Sequence, residues 1–498
     1  MPLPNTPERH YPGLAMTWKP GIVGSTVPRL YARLRFSKIA SFPVALLGAA
    51  LAVNLVAVFL VRRHGSVATL VADEAEYWDL ASNLLHGGVD TLPARRTLPF
   101  PLILAVLRSI AGDDYLRVQV ALTVVLSFAP LLVYWLVREK LRNERVARLA
   151  ATGFLLWPLF VRYGATIYSD SIALLCFLGF LVAFQLAATR WEPTSASWGR
   201  WLLAGGLLAL CVQIKPLYLL YTPFAFLLAL ASAQAGNLRA RAAILLTAGC
   251  LVVLLPWSTY LSAREGRLLL VTGNDAETLA GGLNPELLRL DGSGYLPSPD
   301  NRVTWVGPGK WVYSDATGYL SSEEVDLPYE QTRALLAERS VSWIKSHPRD
   351  VAYITARKLL YMWGIYPLWN GLSQSVLGNF LLLPLMAAAG LALWRSRRAP
   401  LCLAMFWSLP IFCSLVACVS WGSWRFRMPG DLGLIVLAAT LALPAEKRAL
   451  SNRRSGQKTM QTKQREAVVV SRPLSVGIVV PTYREVEKIP HLVDRLRT

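Results

Sequence analysis

Charge is scarce in this chain, and acid most of all. Charged residues fill only 16% of 498 positions, and 31 Asp and Glu stand against 51 Lys and Arg. With 54% apolar residues, that composition excludes an ordinary soluble domain and indicates an integral membrane protein. Zinc-site and disulfide patterns are also missing: Cys176, Cys211, Cys250, Cys402, Cys413 and Cys418 all lie inside apolar runs and read as small buried residues. No internal repeat relates two halves of the chain, and no expected span has a carboxylate or Lys at its middle, which counts against a proton-coupled transporter. The formal charge of +20 does not gather on one face. Lys and Arg fall in short clusters between apolar runs, so they read as topology signals and not as a nucleic-acid surface.

What is present is a series of long apolar runs. A helix crossing about 30 Å of hydrocarbon needs roughly 20 apolar residues, because each residue rises about 1.5 Å and every backbone polar group must be satisfied internally. About ten spans are expected, near residues 39–61, 118–137, 147–163, 170–188, 201–214, 217–235, 242–262, 374–394, 400–420 and 429–444. The fifth and sixth are short and meet at Lys215 and Pro216, with one broken helix as the alternative. The Pro- and Arg-rich tail 1–38 precedes a run longer than the core of a cleavable signal peptide, which predicts an uncleaved anchor. Arg29, Arg33, Arg35 and Lys38 place the N-terminus in the cytoplasm, and alternation puts the clusters at 138–148, 239–241, 395–398 and 447 onward on the same side. The expected location is the cytoplasmic membrane, multi-pass, with both termini cytoplasmic.

Residues 39–445 then form the membrane domain, with 63–117 as a first extracytoplasmic loop and 263–373 as an extracytoplasmic cap. Within the cap, "TGNDAETLAGGLNPELLRLDGSGYLPSPDN" is rich in turn formers, whereas 328–346 and 348–363 carry helical periodicity and are separated by His347 and Pro348. Leu335, Leu336, Trp343 and Ile344 share one face, and Tyr361 and Trp363 suit the headgroup level. Residues 446–473 lose the apolar period and form a basic cytoplasmic linker. The last stretch, 474–498, "LSVGIVVPTYREVEKIPHLVDRLRT", reads as strand, Pro-containing turn and amphipathic helix: one β-turn-α unit.

The residues that draw chemical interest are polar groups next to these spans. Asp73 and Glu74, in "VADEAEYWDLASNLLHGG", open a helix whose Tyr77, Leu80 and Leu84 suit a membrane surface. Helix-dipole stabilisation of about 0.3–1 kcal/mol would explain such acids without any catalytic role. The alternative is a carboxylate held at fixed height above the lipid headgroups, within reach of a lipid phosphate and an outer substrate. Asp170, in "YGATIYSDSIALL", is a second candidate, with helix capping as its plain explanation. Lys215, in "CVQIKPLYLLY", is explained by snorkelling or by phosphate binding, and Arg425 and Arg427, in "SWGSWRFRMPGDLG", form a basic pair against the usual topological bias. These three cations could bracket an anionic headgroup. Arg95 and Arg96, in "PARRTLPFPLILAV", either join them or make plain membrane contacts.

The order of motifs, "DEAEYWDLA", "TLPFPLILAVL", "YSD", "IKP", "TGNDAETLAGGLNP", "SHPRDVAYITARKL" and "WRFRMP", resembles the polyprenyl-phosphate-sugar-dependent glycosyltransferases of the GT-C fold, which include protein O-mannosyltransferases and the aminoarabinose transferase of lipid A. The resemblance covers residues 39–445. It implies an all-α polytopic membrane protein with extracytoplasmic surface helices, and inverting transfer of a sugar from a polyprenyl-phosphate carrier to an extracytoplasmic protein, lipid or glycan acceptor. It also implies Asp73 as general base with Glu74 beside it; the chemistry agrees, since a carboxylate can take the acceptor proton and Lys215, Arg425 and Arg427 would stabilise the charge on the leaving phosphate. Whether a divalent cation assists stays open. The C-terminal unit resembles the start of a family 2 glycosyltransferase GT-A (Rossmann-like) domain, as in polyprenyl-phosphate mannose synthases. In that fragment Pro481, Thr482, Tyr483 and Glu485 would line the nucleotide pocket, with Arg484 where Asn is usual. Two further readings remain: a polytopic carrier or flippase for lipid-linked sugar, and the membrane part of a synthase fusion.

Overall fold

The computed structural model describes residues 26–64, 73–189, 195–232, 236–288, 295–297, 303–305, 324, 327–364, 375–397, 403–420 and 422–443. The expected linker and the 474–498 unit, with Pro481, Thr482, Tyr483 and Glu485, lie outside the described residues.

The architecture is helical, and proline sets many of its breaks. Helix α1 (Thr26–His64) is followed by α2 (Asp73–Gly87) and α3 (Pro99–Ala111). The expected span 118–137 is two helices, α4 (Tyr115–Leu126) and α5 (Ala129–Leu141), because Pro130 near the start of α5 has no N–H to continue the ladder. At that joint Ser127 donates back to the Thr123 carbonyl at 2.8 Å and accepts from the Asn54 amide of α1 at 3.2 Å. The expected span 147–163 likewise divides at Pro158 into α6 (Glu144–Leu155) and α7 (Pro158–Gly164).

Then come α8 (Ser169–Thr189) and α9 (Ser195–Ile214), a 3-10 turn Pro216–Tyr221, α10 (Thr222–Ser232) and α11 (Gly236–Glu265). Helix α9 runs against α11 with small residues at the contact. A Cβ on Gly205 would collide with the Leu246 carbonyl, and one on Gly249 with that of Leu202. Such close backbone approach is the usual way helices associate where lipid supplies no hydrophobic drive.

Four described helical stretches are long and apolar enough to cross a bilayer: Ser41–Leu60, Tyr115–Leu141, Ser169–Thr189 and Leu238–Glu265. Trp198–Ile214, Pro216–Ser232, Phe380–Arg395 and Ala404–Val419 are shorter apolar helices.

The 263–373 segment holds α12 (Asp275–Gly282), a short antiparallel pair β1 (Tyr295–Pro297) and β2 (Val303–Trp305), α13 (Tyr329–Ser346) and α14 (Pro348–Met362). The two last helices divide at His347, where the sequence places the break. The apolar face of α13 does not lie free: Leu336 is buried against Ala276 and Ala280 of α12, and Trp343 and Ile344 pack with Leu283, Leu287 and Ile354. Trp363 faces the protein: its indole is buried and donates to Ser414 Oγ at 3.0 Å.

The chain ends its described part with α15 (Ser375–Arg395), α16 (Ala404–Val419), a 3-10 turn Trp424–Arg427 and α17 (Met428–Ala439). Phe177, Tyr218, Tyr221 and Phe412 form an aromatic knot between α8, the 216–221 turn and α16. Tyr218 and Phe412 of that knot line a cavity together with Asp170, Lys215 and Arg425.

Candidate functional site

Asp73 is the first residue of α2, and its Oδ2 accepts from Arg425 Nη1 at 2.6 Å across 352 positions of sequence. The Arg425 Nε lies 3.9 Å from Asp170 Oδ2, and Lys215 Nζ lies 3.1 Å from Asp170 Oδ1. Two carboxylates and two cations from four distant segments thus form one chain of ion pairs. Asp170 is placed by the first turn of α8, and Lys215 by the break that Pro216 forces after α9. Phe426 presents its ring to both cations, with Lys215 Nζ 4.9 Å and the Arg425 guanidinium 5.1 Å from its centroid; Tyr168 adds a second face to Arg425 at 5.5 Å. Asp170, Lys215 and Arg425, with Tyr218, Phe412 and Phe426, line a cavity of about 20 Å³, the size of a water and far smaller than a sugar phosphate.

The cluster sets its own charge states. Burial works against ionised Asp73, but Arg425, Lys215 and Arg96 outweigh it and hold the carboxyl at about 2. Burial also pushes the Lys215 ammonium down, with Asp170 opposing. Burial disfavours charged Arg425 too, yet Asp170 and Asp73 raise it above its ordinary value. In this arrangement Asp73 is an anion paired with an arginine.

The other residues singled out in the sequence separate clearly. Glu74 is buried and turned to the scaffold: its Oε1 accepts from Tyr115 Oη and from the Ile167 amide, each at 2.9 Å, tying α2 to α4 and to the turn before α8. Arg96 and Arg95 both reach Glu76, one turn along α2, with Arg96 Nε at 2.8 Å and Arg95 Nη2 at 3.3 Å. Arg96 therefore flanks the cluster and acts on Asp73 through its field, while Arg95 stays largely exposed. Arg427 does not bracket the same space. It is 1% exposed, donates to the Met362 carbonyl at 2.5 Å and pairs with Asp431 at 2.9 Å, and Trp157 Nε1 donates to the same Asp431 at 2.6 Å. Its charge is matched inside the protein.

The α2 face that looked suited to a membrane surface is also internal: Tyr77 and Leu80 are buried, and Tyr77 Oη lies 3.1 Å from Ser169 Oγ, beside Asp170. Tyr77, Tyr168 and Phe426 were not evident as site residues, since single aromatics next to apolar runs give no distinguishing pattern. Among the described residues no group of three or more His, Cys, Asp or Glu could hold a metal ion. Asp73 and Asp170 are each already matched by a cation, so the donor set here does not fit a divalent ion.

Residues 96–260 match the family model described as dolichyl-phosphate-mannose-protein mannosyltransferase. The resemblance to polyprenyl-phosphate-sugar-dependent GT-C glycosyltransferases therefore stands. The matched stretch contains Arg96, Asp170 and Lys215, while Asp73 and Arg425 lie outside it. Similar solved structures include the oligosaccharyltransferase AglB of Archaeoglobus fulgidus in complex with an inhibitory peptide and a dolichol-phosphate, at 19% identity over 82% of this chain and 52% of that one, with a TM-score of 0.46. The apo form of the Archaeoglobus fulgidus oligosaccharyltransferase is similar at 17% identity, with the same coverage and a TM-score of 0.47. ArnT from Cupriavidus metallidurans bound to undecaprenyl phosphate is similar at 14% identity over 80% of this chain and 77% of that one, with a TM-score of 0.38. The chain spans about half the length of the archaeal oligosaccharyltransferases it matches. No curated protein matches it.

Proposed function

We propose that the protein is an inverting glycosyltransferase that moves a sugar from a polyprenyl-phosphate carrier to an acceptor on the extracytoplasmic side of the cytoplasmic membrane, with both termini cytoplasmic. The observation that carries this reading is the Asp73 to Arg425 contact at 2.6 Å, continued through Asp170 to Lys215. A phosphodiester entering this cluster offers oxygens that compete with both carboxylates for the same cations. Arg425 can meet it with two N–H groups and Lys215 with a point charge.

Capture of the phosphate would draw Arg425 away from Asp73 and restore the basicity that the pair suppresses. Asp73 then accepts the proton of an acceptor hydroxyl as that oxygen bonds to the anomeric carbon. The bond from that carbon to the phosphate oxygen breaks on the opposite face, which inverts the configuration, and the electron pair leaves with the lipid phosphate. Arg425 and Lys215 stabilise that growing charge, and Asp170 keeps Lys215 oriented. Glu74 fixes the start of α2, and Arg96 tunes the field at Asp73. The 63–117 and 263–373 segments would lie outside the membrane and cover the site, and the C-terminal unit would start a cytoplasmic sugar-charging domain.

The test uses membranes bearing wild type or Asp73→Asn and a radiolabelled polyprenyl-phosphate sugar, scored for label leaving the lipid. Wild type is expected to transfer and the variant to transfer almost nothing. Equal transfer by both would remove Asp73 from the mechanism.

A further inference from the structure

Lys358, in the second half of α14, is fully buried, and among the described residues its ammonium hydrogen-bonds to backbone oxygens. Its Nζ donates to the Gly282 carbonyl at 2.8 Å, the Ser420 carbonyl at 2.8 Å and the Cys418 carbonyl at 3.3 Å. The first of these ends α12, and the other two belong to the exit of α16, five to seven residues before Arg425. The chains meet closely here: a Cβ on Gly422 would lie 2.7 Å from the Lys358 carbonyl oxygen, and one on Gly282 would lie 3.0 Å from the Ser420 carbonyl.

One turn further along α14 the same face grips the same segment again. Tyr361 stacks on Trp424 with centroids 5.6 Å apart, and the Met362 carbonyl accepts from Arg427. Residues 358, 361 and 362 share one side of a helix, so α14 holds residues 418, 420, 424 and 427 from one edge and leaves Arg425 directed at Asp73.

Three carbonyl acceptors call for three N–H donors, and a lysine has three only when protonated. A neutral amine would keep two and turn its lone pair toward a carbonyl oxygen. We propose that Lys358, in its protonated form, is a positioning residue that ties the 263–373 segment to the arginine-bearing turn and so places Arg425 for the lipid phosphate without touching substrate. This rests on the function proposed above for Arg425.

Burial pushes Lys358 down to about 7 from 10.5, with Cys418 on α16 opposing. Arg349, Asp350 and Arg357 are the other charged groups on its own helix. Arg357 reaches the Leu287 and Leu288 carbonyls, Asp275 of α12 is held by Arg333, and Arg425 by Asp73. Glu277 is the other acid of α12. The sign of the linkage separates positioning from stability. Between about pH 7 and 10.5 the unfolded chain binds more protons than the folded one, so this residue makes the fold more stable as pH rises, while one of the three N–H donors that join α14 to the ends of α12 and α16 is being lost.

Two measurements test the proposal on the full-length protein in detergent. In the first, amide exchange of wild type is followed at Ser420 and Phe426, whose N–H groups donate to Val416 and Ser423 carbonyls, at pH 6 and pH 9 after correction for intrinsic rate. Protection is expected to fall at least tenfold at pH 9 while the unfolding temperature does not fall. Unchanged protection overturns the proposal, whatever the activity. In the second, kcat and KM for polyprenyl-phosphate sugar are compared across pH in wild type, Lys358→Met and Lys358→Arg. The Met variant is expected to raise KM at least tenfold, and Arg, which keeps its charge, to flatten the alkaline loss. A Met variant with wild-type KM and pH profile overturns it too. If the Met variant does not fold, the exchange of wild type decides alone. If wild type transfers no sugar, the proposed function fails while the exchange result still decides the role of Lys358.

Discussion

Arg425 and Arg427 stand two residues apart in one 3-10 turn and have opposite fates. At about three residues per turn, positions two apart point in clearly different directions. Arg425 reaches Asp73 and Asp170 beside a cavity, whereas Arg427 is sealed against Asp431, Trp157 and the Met362 carbonyl. A basic pair in the sequence is thus one residue for the site and one for the scaffold. What distinguishes them is the origin of the countercharge: Arg427 finds its own four residues on, at the start of the same helix, and Arg425 depends on acids far away in the chain.

The sharpest way to break this comparison is at the acid that meets Arg425. Asp73→Asn keeps shape and removes the proposed base, and transfer is expected to fall by about 10²–10⁴-fold with an unchanged elution profile in detergent. Arg425→Ala should follow closely, by about 10²–10³-fold, since it removes one fixed donor to the developing phosphate charge. Initial rates at saturating donor measure both.

At Arg427 the loss should appear in stability instead. Arg427→Met leaves Asp431 as an unmatched buried charge, which typically costs about 3–5 kcal/mol. The double variant Arg427→Met with Asp431→Leu should recover most of it, because replacing both partners by apolar groups is often neutral. Thermal unfolding of the purified proteins checks this. A single Arg427→Met variant with wild-type stability and lost transfer would move Arg427 into the site.

The helical architecture could be read from composition because roughly 20-residue apolar runs have few alternatives in a bilayer. The convergence of Asp73, Asp170, Lys215 and Arg425 was accessible for a related reason, as polar residues at the margins of a helical bundle are confined to two narrow zones. The sequence is less informative about direction within those zones. Glu74 follows Asp73 immediately, yet helix geometry turns it by about 100° toward Tyr115 and Ile167, so the acid beside Asp73 is an anchor. A signal for Arg427 was available in "RMPGD", where Arg and Asp stand at i and i+4. Lys358 gave no such signal, since backbone carbonyls leave no trace in side-chain identity.

Acid pH tests the same contrast more gently. Asp73 is held at about 2 against an ordinary 3.8, so the stabilisation from its ion pair is complete above 3.8 and is lost as pH falls toward 2. Arg425 is the largest of the groups that lower it. In Arg425→Ala the Asp73 carboxyl should therefore protonate at a distinctly higher pH than in wild type. The infrared band of the protonated acid, assigned through Asp73→Asn, reads the shift. Coincident titrations would show that the field at Asp73 comes from elsewhere.

The smallest effect is expected where a basic residue has a carboxylate partner but neither burial nor a place in the cluster. Arg95 is 44% exposed and shares Glu76 with Arg96, which also stacks over Tyr77 and keeps the shorter contact. An exposed ion pair of this kind contributes about 0–1 kcal/mol, and here the carboxylate stays matched after the loss. Arg95→Ala should therefore change unfolding temperature and transfer rate by amounts close to measurement error, whereas Arg96→Ala leaves Glu76 to a more exposed partner and removes one of the cations acting on Asp73. A larger transfer defect in Arg95→Ala than in Arg96→Ala would show that the outer of the two arginines is the one that meets the incoming phosphate.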